Sequence, residues 1–240
     1  MKKSRMSHLL NISNHGFAIE NNIYTEKEIK EIISAIETVD QSKKSFRKST
    51  DLFAIRKFLN EIPAVKSLIF NRKMKALITE VFGDGYFIVK SIYFDKPEQS
   101  NWFVSRHQDL TIAVDKKIDI EGFGSWTKKI DSFAVQPPVD ILQDNFTIRI
   151  HLDDTDDKNG ALKVIPGSHL KNIHLAEQVN IEEERDVVCN VKAGGAMIMR
   201  PLLMHSSERS TSNKGRRVIH IEFSRKELPV EINWAEKEAY

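Results

Sequence analysis

Three pairs in this 240-residue chain place a histidine two residues before an acid: His107-Gln108-Asp109, His151-Leu152-Asp153 and His220-Ile221-Glu222. In an extended strand, residues i and i+2 project to the same side. Each pair can therefore aim an imidazole and a carboxylate at one ion. A second histidine from a distant strand would complete a two-His-one-carboxylate set. Such a set occupies one face of an octahedron and leaves three positions open. With 8 His and 34 Asp+Glu in the chain, about one such pair is expected by chance. The spacing alone does not choose among the three.

Context narrows the choice. His205 follows a strand candidate at Ala196 to Arg200, and Arg216 stands eleven residues later, at the mouth of the last strand candidate, Arg217 to Ser224. A guanidinium beside an open-faced metal suits the far carboxylate of a dicarboxylic co-substrate, through bidentate bonds that Lys cannot copy. Alternation puts Arg216, Val218, His220 and Glu222 on one face of that strand and Arg217, Ile219, Ile221 and Phe223 on the other. The apolar set belongs against helices, so the polar set faces a cavity. This selects Arg216 over Arg217 and places His220 in or near the cavity, as a pocket group or a hydrogen-bonded interior histidine. Arg149 is a charge within Thr147-Ile148-Arg149-Ile150; it meets either a bound carboxylate inside or a solvated salt bridge outside. Lys90 and Tyr93 pose the same question from opposite faces of their strand.

The elements that must position these groups change character along the chain. Gly16-Phe17-Ala18-Ile19 reads as a short strand. Thr25-Glu26-Lys27-Glu28 is a capping box, and Ile29, Ile32, Ile33 and Ile36 follow as a helical stripe. A second helical region comes after Pro63, with Val65, Leu68, Ile69, Leu77 and Val81 as its buried side and Gly83 as its stop. From Tyr86 the period becomes two. Strands are expected at 86–94, 107–114, 147–152, 161–165, 186–191, 196–200 and 217–224, separated by Gly- and Pro-bearing turns. Helices followed by many short strands, without βαβ alternation, argue for a barrel or double-sheet roll with helices on one outer face. Residues 115–145 break the pattern: long, weakly periodic, and holding Phe123, Trp126 and Phe133 beside Gly122, Gly124, Pro137 and Pro138. A connection of that length points to a lid, and Trp126 and Gln136 within it are candidates for touching substrate.

Composition excludes several functions. The 36 Lys+Arg against 34 Asp+Glu leave +2, which creates no field able to grip a nucleic-acid backbone. The densest basic run, Lys43, Lys44, Arg47 and Lys48, reads as a solvated loop. Cys189 is the one cysteine, which excludes an internal disulfide framework and a Cys-based zinc module and fits a reducing cytoplasm. No apolar run approaches the ~18 residues of a membrane span, and the basic start, Met1 to Arg5, lacks the apolar stretch of a signal peptide. One cytoplasmic domain is expected, without nucleic-acid or membrane partners; the oligomeric state is open.

His107-Gln108-Asp109, then His205, then Arg216, in that order, resembles the phytanoyl-CoA dioxygenase family of Fe(II)/2-oxoglutarate oxygenases. The likeness extends to Gly16-Phe17, Leu152-Asp153-Asp154, Asn159-Gly160-Ala161-Leu162 and Pro166-Gly167-Ser168-His169, over residues 15 to 225. It implies a mainly β fold with flanking helices around a double-stranded β-helix, jelly-roll or cupin-like core. It implies His107, Asp109 and His205 as the iron ligands, Arg216 as the anchor of 2-oxoglutarate, and O2 as the oxidant. Ser207 stands where related enzymes place a hydroxyl on the 2-oxoglutarate carboxylate. His151 and Asp153 then become the end of a structural strand and its turn, and His169 a loop cap. The reaction implied is hydroxylation of an unactivated C–H of a small metabolite, with release of succinate and CO2. The acid at position 109 favours this over halogenation, since related halogenases lack the carboxylate. An amino acid or natural-product intermediate suits residues 115–145 better than acyl-CoA, because they hold no long apolar run. Two rivals are a non-catalytic metal- or ligand-binding roll and a cupin-like metal-dependent hydrolase or isomerase.

Overall fold

The computed structural model describes residues 2–39, 46–49, 52–174 and 186–240. The elements run α1 (Lys2–His15), β1 (Phe17–Glu20), α2 (Glu26–Glu37), β2 (Phe46–Lys48), β3 (Phe53–Arg56), α3 (Phe58–Glu61), α4 (Val65–Ile69) and α5 (Arg72–Phe82). There follow β4 (Phe87–Lys96), β5 (Val104–His107), β6 (Ile112–Val114), β7 (Gly124–Lys128), β8 (Phe133–Gln136), α6 (Val139–Asp144) and β9 (Phe146–His151). The chain ends with β10 (Leu162–Val164), β11 (Val187–Val188), β12 (Ala196–Met199), β13 (His205–Ser207) and β14 (Arg216–Ser224). Among the described residues the strands form a seven-stranded sheet (β1-β12-β9-β14-β4-β3-β2), a four-stranded sheet (β11-β10-β13-β5) and a three-stranded one (β6-β8-β7). The large and four-stranded sheets make the jelly-roll; every strand pair in them is antiparallel.

Alternation decides what each face of the large sheet carries. Phe146, Ile148 and Ile150 of β9 and Ile219, Ile221 and Phe223 of β14 pack with Ile29, Ile32 and Ile36 of α2 and Met74, Ile78 and Val81 of α5. The intervening residues, Arg149, His151, Arg216, His220 and Glu222, are buried on the opposite face. The helices thus cover one side of the sheet and leave a polar interior on the other. The capping box forms as expected, with the Glu28 amide donating to Thr25 Oγ1 at 3.3 Å and the Thr25 amide to Glu28 Oε2 at 2.7 Å. The second helical region is two helices, because Asn71 starts a new one by accepting the Met74 amide at 2.9 Å. Helix α1 went unforeseen: it lacks a regular apolar stripe, and Ile12 is its contribution to the core.

Two expectations are corrected. The single strand at 107–114 is broken: β5 ends at His107, and the chain resumes as β6 in another sheet. Residues 115–145 are not an irregular connection. They form β7, β8 and α6, and Phe123, Trp126 and Phe133 pack with Ile112, Val135 and Trp234 in a second core. The C-terminal segment closes this core through the Val114–Trp234 bridge, a contact 120 residues apart that local periodicity cannot register. Of the basic run expected as a loop, Lys43 and Lys44 lie outside the described residues, while Arg47 and Lys48 belong to strand β2, paired with Ala54 and Phe53. No helix among the described residues is long and apolar enough to cross a membrane.

The same C-terminal segment docks on the β4 edge. Glu236 accepts the Ser91 amide at 3.1 Å and its hydroxyl at 2.6 Å. Burial pushes the Glu236 carboxyl from 4.5 up to about 7, despite the two Ser91 bonds that favour its charged form. The folded state therefore holds a proton that the unfolded chain has released. This group's contribution to stability is full below about pH 4.5 and is lost as pH rises through about 7. Urea midpoints across that window should fall less steeply in Glu236→Gln than in the wild type; parallel curves would refute the assignment.

Candidate metal centre

β5 and β13 are neighbours, and their register sets His107 directly opposite His205. The two rings lie 4.3 Å apart, centroid to centroid. Each Nδ1 meets a backbone carbonyl two residues back, Ser105 O at 2.8 Å for His107 and Leu203 O at 2.9 Å for His205. A carbonyl only accepts, so each Nδ1 carries the hydrogen and each Nε2 keeps its lone pair. Both Nε2 atoms face Asp109, His107 at 3.8 Å from Oδ1 and His205 at 3.9 Å from Oδ2. One ligand atom from each of the three residues lies within 4.8 Å of the others.

Asp109 is held by its surroundings rather than by a strand. Its amide donates to Pro201 O at 2.9 Å. Next to it, the buried Gln108 amide group donates to Asn172 O and Leu202 O (2.8 and 2.7 Å) and accepts the His174 amide at 2.8 Å. Burial would raise the Asp109 carboxyl, but His205, His220, Lys90 and His107 outweigh it and bring it to about 2. Burial takes His205 down to about 4, against the pull of Asp109. At neutral pH Asp109 is a carboxylate and His205 a neutral imidazole, the protonation states that metal ligation requires.

These three side chains line a chamber of about 200 Å3 together with Lys90, Phe94, Trp102, Arg149, Leu162, Ser207, Arg216 and His220. Arg216 is 3 % exposed; its Nη1 donates to Gly160 O at 2.6 Å, and its Nε is buried without a partner. Arg149 likewise has a buried, unpartnered Nε, while its Nη1 reaches His220 Nδ1 at 3.0 Å. Since a guanidinium only donates, His220 accepts at Nδ1 and gives its Nε2 hydrogen to Glu222 Oε1 at 3.0 Å. Glu222 also takes the Lys90 ammonium at 2.6 Å. Burial, then the charge of Arg149, pushes Arg216 down to about 9.

Lys90, Arg149 and Arg216 thus oppose Asp109 in this chamber and Glu222 just behind its Lys90 and His220. A divalent ion would add to the positive excess, and an anion with two charges would offset it. Two buried guanidiniums with N–H groups to spare, beside three ligand atoms with free lone pairs, fit Fe(II) plus a dicarboxylate.

Ser207 lines the chamber, with its hydroxyl donating to Gly160 O at 2.9 Å. Gly160 is where Ser207 and Arg216 meet. Its φ is +83°, and a methyl group there would stand 2.6 Å from Lys96 Nζ and 2.9 Å from Glu208 O. Gly160→Ala should therefore displace this corner, at a cost of roughly 1–3 kcal/mol for the backbone conformation alone. The expected result is weakened 2-oxoglutarate saturation together with a lowered melting temperature. Wild-type values for both would show that Gly160 does not set the corner.

The other pairs separate as the tertiary structure directs. His151 is buried away from the triad, its Nδ1 meeting Thr155 Oγ1 at 2.7 Å. Asp153 lies toward the outside and clasps Arg217 at 2.8 and 2.9 Å. His169 Nε2 contacts Ser13 O at 3.2 Å and ties its own short helical turn, Ser168–Lys171, to the last turn of α1. Trp126 and Gln136, expected against substrate, stand in the three-stranded sheet, outside the lining of the metal chamber. Trp102 and Phe94 do line it, their rings tilted against each other with centroids 5.9 Å apart. Phe94 was legible, since it shares the inward face of β4 with Lys90 and Ile92. Trp102 was not, because residues 97–103 have no period.

The family model described as phytanoyl-CoA dioxygenase (PhyH) matches residues 12–218. That family is Fe(II)- and 2-oxoglutarate-dependent. No curated protein matches the sequence at a significant level. Among solved structures, the epimerase SnoN in complex with Fe3+, alpha ketoglutarate and nogalamycin RO is similar at TM-score 0.72 and 12% identity, over 100% of this chain and 96% of that one. EctD from S. alaskensis with 2-oxoglutarate and 5-hydroxyectoine is similar at 0.70 and 15%, over 91% and 75%. HygX from Streptomyces hygroscopicus with nickel and 2-oxoglutarate bound is similar at 0.64 and 14%, over 91% and 86%. At these identities the likeness is one of fold.

Proposed function

The chain belongs to the phytanoyl-CoA dioxygenase family, and from that premise we propose that it is an Fe(II)- and 2-oxoglutarate-dependent dioxygenase that hydroxylates an unactivated C–H of a small metabolite. The observation that carries this is the pairing of a two-His-one-carboxylate face with two buried, partly unpartnered guanidiniums in one chamber. His107, Asp109 and His205 would hold the iron. Arg216, supported by Ser207, would take the far carboxylate of 2-oxoglutarate, and Arg149 would add a second cation. When bound, iron and 2-oxoglutarate supply, with O2, the oxidising power that breaks the C–H bond and releases succinate and CO2.

The protein's own residues have three tasks. His107 and His205 present Nε2 because the Ser105 and Leu203 carbonyls fix their tautomers. His220, clamped between Arg149 and Glu222, keeps Arg149 aimed into the chamber. Phe94 and Trp102 form an apolar wall that limits water at the reacting carbon. An amino acid or natural-product intermediate suits this chamber better than an acyl-CoA, and the setting proposed is the cytoplasm.

The test begins with anaerobic Fe(II) plus 2-oxoglutarate, where a weak visible metal-to-ligand charge-transfer band is expected. A succinate-release screen across free amino acids, small metabolites and acyl-CoA esters follows. Metal binding without the band would favour a non-catalytic binding roll. Turnover independent of O2 and 2-oxoglutarate would favour a hydrolase or isomerase.

A further inference from the structure

A second cavity, of about 230 Å3, lies beside the metal chamber, and Lys90 and Ile92 line both. Thr111 lines the second cavity, two residues after Asp109 in the first. Two extended residues span at most about 7 Å, so the two spaces are within a side chain's reach of each other. The cavity occupies a gap in the edge of the large sheet. β3 stops at Arg56, opposite Ile92, and the β4 edge is next met by the C-terminal segment, at Ser91 and Glu236. Directly paired antiparallel residues share a face, so Arg56 projects to the same interior side as Ile92.

The charges around this cavity do not balance. Lys57 is paired with Asp131 at 2.8 Å, and Lys90 with Glu222 at 2.6 Å. Glu236 is taken by Ser91. Arg56 and Lys129 remain without a side-chain hydrogen bond or ion pair among the described residues. Arg56 is half-buried, and its planar fork matches a carboxylate. Ile92, Ile112 and Phe133 supply apolar wall. The volume is below the ~300–1,000 Å3 of pockets for drug-sized ligands, which suits a compact acid.

We propose that this cavity is the recognition subsite for the substrate, that Arg56 binds a substrate carboxylate there, and that the carbon to be oxidised passes Lys90 and Ile92 into the metal chamber. The substrate class is accordingly an amino-acid-sized carboxylic acid. This rests on the oxygenase function proposed above.

The experiment uses the twenty proteinogenic L-amino acids and a set of small aliphatic and hydroxy carboxylic acids, each paired with its carboxamide. Two readouts are taken on the Fe(II)-loaded protein: perturbation of the anaerobic charge-transfer band, and stimulated release of succinate. At least one acid should act in both assays while its carboxamide fails. Arg56→Ala should raise that acid's half-saturation roughly tenfold or more, the size of one charge-assisted hydrogen bond, with kcat far less affected. Arg56→Lys should recover part of the loss. A response to neutral compounds or acyl-CoA esters alone, equal half-saturation in Arg56→Ala, or no response to any acid while the band is intact would each overturn the subsite. Absence of the band before any acid is added would instead refute the oxygenase function itself.

Discussion

His107→Ala and Asp109→Ala each bring 2-oxoglutarate turnover to background and abolish the anaerobic charge-transfer band, whereas His151→Ala keeps the band and binds iron nearly as the wild type does. The three variants look alike on paper, since each removes one member of a His-x-Asp pair. They differ in where the side chains point. His107 and Asp109 converge with His205 within 4.8 Å; His151 meets Thr155, and Asp153 clasps Arg217 outside. Removing one of three protein ligands takes away a donor that this chamber does not replace, and so weakens its hold on a labile divalent ion. His151 is also nearly fully buried, so His151→Ala will cost stability through its cavity. Iron affinity measured on the folded fraction, by competition with a coloured chelator, separates the two effects. Loss of iron from His151→Ala with retention in His107→Ala would reverse the ligand assignment.

Arg216→Ala raises the half-saturation for 2-oxoglutarate by about 30-fold or more, because truncating one partner of a buried charge pair costs roughly 2–5 kcal/mol. Arg216→Lys recovers only part of this. An ammonium offers no planar fork, and the Gly160 carbonyl that now takes Nη1 at 2.6 Å would compete for it. The free protein should respond in the opposite direction. Arg216 and Arg149 repel each other in a buried space, which contributes to the low value of about 9 for Arg216. Losing one of them relieves that repulsion, so apo Arg216→Ala should lose less stability than its burial suggests, while 2-oxoglutarate should stabilise it far less than the wild type. Thermal melts with and without 2-oxoglutarate and a redox-inert divalent ion test both statements. An unchanged ligand-induced shift in Arg216→Ala would remove Arg216 from the 2-oxoglutarate site.

Several features were legible because they depend on local rules. The Thr25–Glu28 box and the Ile29, Ile32, Ile36 stripe are consequences of helical period, and both formed. The two-residue period of Arg216 to Ser224 put Arg216 inside and Arg217 outside, as the structure has them. The same rule made Lys90 and Tyr93 part company, with Lys90 in the chamber and Tyr93 in the helix-covered core. Other features were not legible. Residues 115–145 showed little period because their strands are short and lie in a sheet completed by Trp234 from the far end of the chain. Trp126 packs partly buried against that second core, a contact that no local period announces.

Residue type and period by themselves determined the passage from a helix-rich first part to a strand-rich second, the inward face of β14 and the inventory of groups able to bind a metal. They left three equivalent His-x-acid pairs, among which the family resemblance pointed to His107 and Asp109. The tertiary structure supplies the physical reason, because convergence depends on which strands become neighbours: β5 beside β13 brings His107 opposite His205, 98 residues further along the sequence. A strand's period states which side a residue faces. Which other side chains share that side is settled by long-range pairing, whose energy lies in contacts that no local window contains.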